Sequence, residues 1–266
     1  MDPFFYLVIY AGAIAGASCG LLGVYIVGMR MPFIGTCISH AAMAGTVWAT
    51  VLGINPTAGA LIASVVTAAS LTAIKPDKTK LDTNVGLAIL FSLMLGLTFL
   101  GMGLITGSKN EILSLLWGSI LYVQKDKAIV ITVFALILGV FAWLFNKEMK
   151  VLLFSRSMAQ ATGVHSGFVY CLFLCFCGII LAVNLPLIGG LMIFSLITSP
   201  AASAYQLCRG HLWVVIMSIT LGVATTIIGF GISYFFDLPT GACIVIVSTL
   251  IFGASIGYRR LINSRD

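Results

Sequence analysis

FFYLVIYAGAIAGASCGLLGVYIVG, residues Phe4–Gly28, holds no charged side chain and is long enough to cross a bilayer as a single helix. Eight more apolar runs follow, at about Phe33–Leu52, Thr57–Ile74, Val85–Ile105, Ala128–Phe145, Ser166–Val183, Leu187–Leu207, Leu212–Phe236 and Gly241–Tyr258. Of the 266 residues, 60% are hydrophobic and 8% are charged, and mean hydropathy is +1.13. A typical soluble domain is about 25% charged, so a soluble enzyme and a disordered chain are both excluded. Nine spans of about 20 residues use roughly 180 positions and leave only short loops. The expectation is an all-α integral membrane protein: a polytopic bundle of eight or nine transmembrane helices forming one domain over residues 1–266, with membrane lipid as its solvent. A further run, Ile112–Val123, is too short to cross and reads as an interfacial or re-entrant piece.

The net charge of +6 comes from basic residues in loops, which is not a nucleic-acid footprint. Arg30, the segment KPDKTKLD (Lys75–Asp82), the segment NKEMKVLLFSR (Asn146–Arg156), Arg209 with His211, and the tail YRRLINSRD fall on alternate sides of the apolar runs. Placing them all in the cytoplasm gives nine crossings, an external N-terminus and an internal C-terminus. The external loops are then GINPT, Ser108–Lys127, NLP (Asn184–Pro186) and DLPTG (Asp237–Gly241). The N-terminus lacks a basic region ahead of its long apolar run, so no cleaved signal peptide is expected. Arg156–Gly163 reads as either a short amphipathic helix on the cytoplasmic face or an ordinary loop. The seven cysteines lie almost all in apolar runs without a CxxC pair and read as small buried hydrophobes.

Polar groups inside the spans carry the functional signal, because lipid makes them costly. No Asp, Glu, Lys or Arg lies near the centre of a span. A proton relay and an acidic channel ring therefore have no residues to work with. No GxxxxGK[ST] phosphate loop is present, so a pump would draw its energy from a separate subunit. His40 stands about eight residues into the second run, with Cys37 three residues earlier on the same face and Thr36 and Ser39 beside it. Imidazole is a common transition-metal ligand, and the alternative is a histidine bonded to a neighbouring helix. One His and one Cys do not complete a four-ligand site; a two-fold dimer doubles them. Asp237 is a candidate cation attractor at an external mouth, or a helix-ending turn. Pro200, in TSPAASA, marks a kink or a gate. Cys171, Cys175 and Cys177 do not share one helical face, which argues against a thiol site. A membrane-embedded enzyme using Ser39 or Ser195 with His40 lacks an orienting carboxylate, and adjacent helix residues point about 100° apart.

Four motifs in order resemble the permease subunit of bacterial metal-ion ABC importers, the ABC-3 group that takes up zinc, manganese or iron. FIGTCISHA supplies Phe33, Gly35, Ser39, His40 and Ala41 of that family's F-x-G-D-x-x-S-H-A. Pro200, Ala201 and Ala202 match its P-A-A; Asp237, Pro239, Gly241, Ile244 and Val245 match D-x-P-x-G-x-x-I-V; Ala159, Ala161, Gly163 and Val164 match the end of its cytoplasmic coupling segment. The resemblance implies a permease with no permanently bound cofactor, moving a divalent metal ion inward; His40 is the first-choice ion contact, with Cys37 second and Thr36 third. It also implies a second permease copy or paralogue, an ATP-binding ABC subunit, an external metal-binding protein, and residence in the bacterial plasma membrane. A coupling helix at about 150–165, including Arg156, Ala159, Ala161 and Gly163, would sit in a cleft of the ATPase. Thr36 replaces the family's acid, and a Cys/His set favours Zn²⁺ over Mn²⁺. Serine and arginine at Ser155, Arg156 and Ser157 replace acidic residues of the coupling segment, which calls for an acidic ATPase partner. A permease of the same architecture for a metal chelate is the alternative; it would line a wider cavity with more polar groups.

Overall fold

The apolar runs fold as helices in the computed structural model, which describes residues 3–73, 83–105, 118, 124–154, 166–190 and 192–263. Among these residues there are ten helices and no strand: α1 (Pro3–Gly28), α2 (Phe33–Val51), α3 (Pro56–Ala73), α4 (Thr83–Leu104), α5 (Lys125–Leu144), α6 (Asn146–Phe154), α7 (Ser166–Ile188), α8 (Ile193–Leu207), α9 (His211–Phe236) and α10 (Thr240–Asn263). Six of them, α1, α4, α5, α7, α9 and α10, are long and apolar enough to cross a membrane. α2 stands outside that set because Ser39, His40, Thr46 and Thr50 dilute its hydropathy. It tolerates them because most of its length is enclosed by protein, with α3, α4 and α7 packed around it.

Side-chain contacts fix the relative directions of the helices. Gly16 and Gly20 of α1 lie against Gly222 and Ser218 of α9, so these two run antiparallel. α7 opposes α1 through Ser18–Asn184 and Tyr25–Phe173. α2 and α4 run parallel, because His40 meets Phe91 while Trp48 donates to the Leu97 carbonyl at 3.1 Å. Gly45 against Ala63 and Ala49 against Gly59 set α3 antiparallel to α2. α8 and α10 run together, from the Ser195–Ser248 hydroxyl pair (3.1 Å) to the Gln206–Arg259 contact. Small residues make the closest of these approaches possible, as expected where lipid gives no hydrophobic drive between helices.

The boundary between the sixth and seventh apolar runs differs from expectation. Asn184–Pro186 is not an external loop: α7 continues through Pro186 to Ile188, and the chain breaks at Gly189, whose φ is +89°. Asn184 is 1% exposed, and its Nδ2 donates to Ser18 Oγ at 3.2 Å. Ser18 Oγ donates in turn to the Ala15 carbonyl at 3.0 Å. Asn184 Oδ1 is buried without a partner. Ser18→Ala leaves the amide only its 4.0 Å contact with Cys19 Sγ and should cost about 1–3 kcal/mol, whereas Asn184→Leu removes the orphaned carbonyl together with the bond and should cost under about 1 kcal/mol. Denaturation of the purified variants checks this order, and the reverse order contradicts it.

The expectation for Ile112–Val123 falls outside the described residues except at Gly118. That residue has φ +70°, and a Cβ there would collide with the Ile188 carbonyl and the Gly189 nitrogen. Gly118→Ala is therefore strained by both backbone and contact, and should lower the unfolding temperature more than Gly139→Ala in α5, where a Cβ meets nothing. α6 follows α5 directly after Phe145 and buries Met149 and Leu152. The coupling residues Arg156, Ala159, Ala161 and Gly163 lie outside the described residues.

Candidate functional site

α2 begins where Arg30, in a left-handed conformation (φ 58°), turns the chain and Pro32 precedes the first helical residue. Proline suits that position because its fixed φ fits the helix and its missing N–H has no intrahelical partner there. Two turns on, His40 is 2% exposed. Its Nδ1 lies 3.0 Å from the Thr36 carbonyl oxygen, one turn back. A carbonyl only accepts, so Nδ1 carries the proton and donates, and Nε2 of the neutral ring keeps its lone pair. Nε2 is buried and has no hydrogen-bond partner, and the same holds for Thr36 Oγ1. Metal-ligating histidines show this pattern: one ring nitrogen held by a carbonyl or carboxylate, the other free for the ion.

Toward α4 the imidazole meets an apolar neighbour. The Phe91 ring of α4 stands against the imidazole in an edge-to-face arrangement, with centroids 4.7 Å apart and planes at 81°. Ser39 Oγ donates to the Thr36 carbonyl at 3.0 Å and lies 3.5 Å from His40 Nδ1. The serine is thus committed to the backbone and faces the wrong ring nitrogen's proton, which leaves no nucleophile–base pair. Cys37 is fully buried in the main apolar core with Ile38 and Leu22. Among the described residues no group of three or more His, Cys, Asp or Glu side chains comes together. The protein's own donors at this point are therefore few.

The other expected positions are elsewhere. Asp237 is exposed at the turn between α9 and α10, in a left-handed conformation (φ 53°) that ends α9. Ser233 Oγ donates to the Leu238 carbonyl at 2.6 Å and pairs with Thr240 Oγ1 at 2.8 Å, closing that turn. Pro200 is buried within α8, which continues through it to Leu207. Ser195 bonds to Ser248 of α10 rather than to a base. Cys177 is buried, while Cys171 and Cys175 are half-buried. Sequence reasoning missed Phe91 and Asn184. Nothing distinguishes Phe91 within its apolar run; Asn184 was visible as a lone amide, but Asn-Leu-Pro reads as a turn.

The apolar helices packed around α2, with a buried unpartnered imidazole nitrogen inside, define a multi-pass membrane protein. The chain matches the ABC 3 transport family over residues 1–259 and belongs to it. It is 30% identical over 241 residues to the manganese import system permease protein ScaB of Streptococcus gordonii, covering 90% of this chain and 85% of that protein. It is 27% identical to the manganese transport system membrane protein MntC of Listeria monocytogenes, covering 89% and 84%. The fold is that of PsaBC from Streptococcus pneumoniae, solved in complex with Fab: TM-score 0.87 at 22% identity, over 100% of this chain and 96% of that one. The protein is a multi-pass permease of the plasma membrane, and ATP hydrolysis in such transporters belongs to a separate subunit.

Proposed function

We propose that this permease imports a divalent transition-metal ion past His40, driven by a partner ATPase and fed by an external metal-binding protein. The observation that carries the reading is the buried, unpartnered Nε2 of His40, its tautomer set by the Thr36 carbonyl. Leaving such an atom bare costs free energy unless a ligand or another state satisfies it. Thr36 Oγ1, one turn away and equally bare, is the second donor; Cys37, buried in the apolar core, is a further candidate. A site with so few donors of its own suits an ion that must be released, and pairing two copies of the chain doubles the set.

The helix directions support nine crossings in a single domain over residues 1–266, with the N-terminus outside and the basic tail inside. The segment at about 150–165, with Arg156, Ala159, Ala161 and Gly163, is the docking element for the ATPase. Asp237 at the external turn draws cations to the mouth, and Pro200, inside α8, marks the place of a gate.

The donors are softer than a carboxylate set, so zinc or cobalt is preferred over manganese. Purification with co-eluting partners, followed by ATP-dependent uptake with competing ions, tests the proposal. Unlabelled zinc should suppress uptake more strongly than manganese, and a bulky metal chelate should not compete. Competition by the chelate alone would move the assignment to a chelate permease. Thr36→Asp should shift the preference toward manganese by about tenfold, because a carboxylate is the harder ligand.

A further inference from the structure

We propose that Phe91 is the shutter over His40, and that its ring turns aside to admit the ion. This rests on the reading of His40 as an ion contact and adds how access to that contact is controlled. The imidazole is 2% exposed and its free nitrogen is sealed from solvent, so no ion reaches it in this conformation. Part of the wall around α2 has to move.

The three neighbours of α2 are not equally free to do so. α3 is locked on by backbone-to-backbone approach at Gly45 and Gly59, where even a methyl group would not fit. α7 shares a buried cluster with α2, in which Ala182 and Leu185 pack with Ala42, Met43 and Val47; Met102, near the C-terminal end of α4, joins the same cluster. α4 is held differently. Only 22% of its span is buried, the smallest share among the six crossing helices. Its large interface is with α2 alone. Gly86, Gly96 and Gly103 along it face open space. Its close attachment is toward the C-terminal end of α2, where Trp48 bonds to the Leu97 carbonyl and Val47 abuts Gly101. Phe91 lies about 9 Å along the helix from Leu97 at 1.5 Å per residue. Toward its N-terminus Leu87 is buried in the main core and Asn84 donates to the Arg30 carbonyl, so α4 is tied on both sides of Phe91, and the motion that uncovers His40 is a turn of the Phe91 ring. The ring itself is only partly buried, so it has room to leave. What it gives up is the edge-to-face contact with His40 and its packing against the main apolar core, a cost that ATP-driven rearrangement can supply.

The test uses the permease with its ATPase partner in nanodiscs, without nucleotide. Diethyl pyrocarbonate labels accessible imidazoles, and peptide mass spectrometry reads His40 separately from His211. Phe91→Ala should raise the His40 labelling rate about tenfold and leave His211 unchanged. Phe91→Leu should raise it less, and Phe91→Trp should lower it. Phe91→Ala vesicles should also leak zinc down its gradient without ATP, which a ring serving only to pack α4 would not produce. If Phe91→Ala does not stay folded, the opposed Leu and Trp variants decide the matter. Equal His40 labelling across the series overturns the proposal. Uptake by His40→Ala separates the two readings: if that variant transports normally, the ion contact is wrong whatever the labelling shows. If it is inactive while Phe91 variants label like wild type, the contact stands and the shutter falls.

Discussion

His40→Ala should reduce ATP-driven metal uptake by about a hundredfold or more, while the permease still assembles with its ATPase and ATP is still hydrolysed. The magnitude follows from ligand loss: removing groups that merely orient a metal ligand costs about 10–100-fold in affinity or activity, and His40 is proposed as the ligand itself. Folding should survive. The side chain's polar contacts are within its own helix, to the Thr36 carbonyl at 3.0 Å and Ser39 Oγ at 3.5 Å, and its ring contact is to Phe91. Replacing it with alanine in a helix dense with alanine removes a buried polar atom that had no partner. His40→Gln keeps a polar side chain but offers a weaker oxygen donor, and should restore only a small part of the uptake. Uptake of radioactive zinc into vesicles, with phosphate release measured in the same samples, separates loss of transport from loss of assembly.

The second large effect is structural. Gly16→Leu or Gly222→Leu should abolish accumulation of folded permease. A Cβ at Gly16 would meet the Gly222 carbonyl and the Thr226 hydroxyl, and one at Gly222 would meet the Gly16 carbonyl. Overpacking a core typically costs about 1–3 kcal/mol. Here the obstacle is backbone on both sides, so α1 and α9 must separate and neither can repack around the leucine. The Ser218 hydroxyl bond to the Gly20 carbonyl, 2.7 Å long, would be lost with the interface. Gly231→Leu on the same α9 is the control, since a Cβ there meets nothing within 4 Å. Monodisperse protein recovered in detergent should fall to background for the first two variants and stay near wild type for Gly231→Leu.

Much of the architecture was legible because lipid imposes a blunt code. Uncharged runs such as Phe4–Gly28 have few alternatives to a spanning helix, and α1, α4, α5, α9 and α10 fall where those runs lie. The α7–α8 boundary was not legible. Asn-Leu-Pro carries the signals of a turn, yet the Ser18 hydroxyl 166 positions away receives the amide and the helix continues to Ile188. At the site, His40 stood out as the lone imidazole deep in a span. Its tautomer did not, because that depends on the ring folding back to the Thr36 carbonyl rather than reaching another helix. Phe91 was invisible for a different reason: an aromatic residue in an apolar run looks like any lipid-facing neighbour until α4 is docked beside α2. The enclosure of α2 was hidden as well. Its lower hydropathy signals burial in protein, and only the packing of α3, α4 and α7 shows which helices provide it.

The central claim is that the chain conducts a bare divalent metal ion when a partner hydrolyses ATP. Sealed vesicles holding the permease and its ATPase, loaded with binding protein and zinc on the external face, test it in one measurement. The account expects saturable zinc accumulation against its gradient that stops when ATP is withheld. ATP hydrolysis stimulated by the loaded binding protein, with no metal crossing, would contradict it.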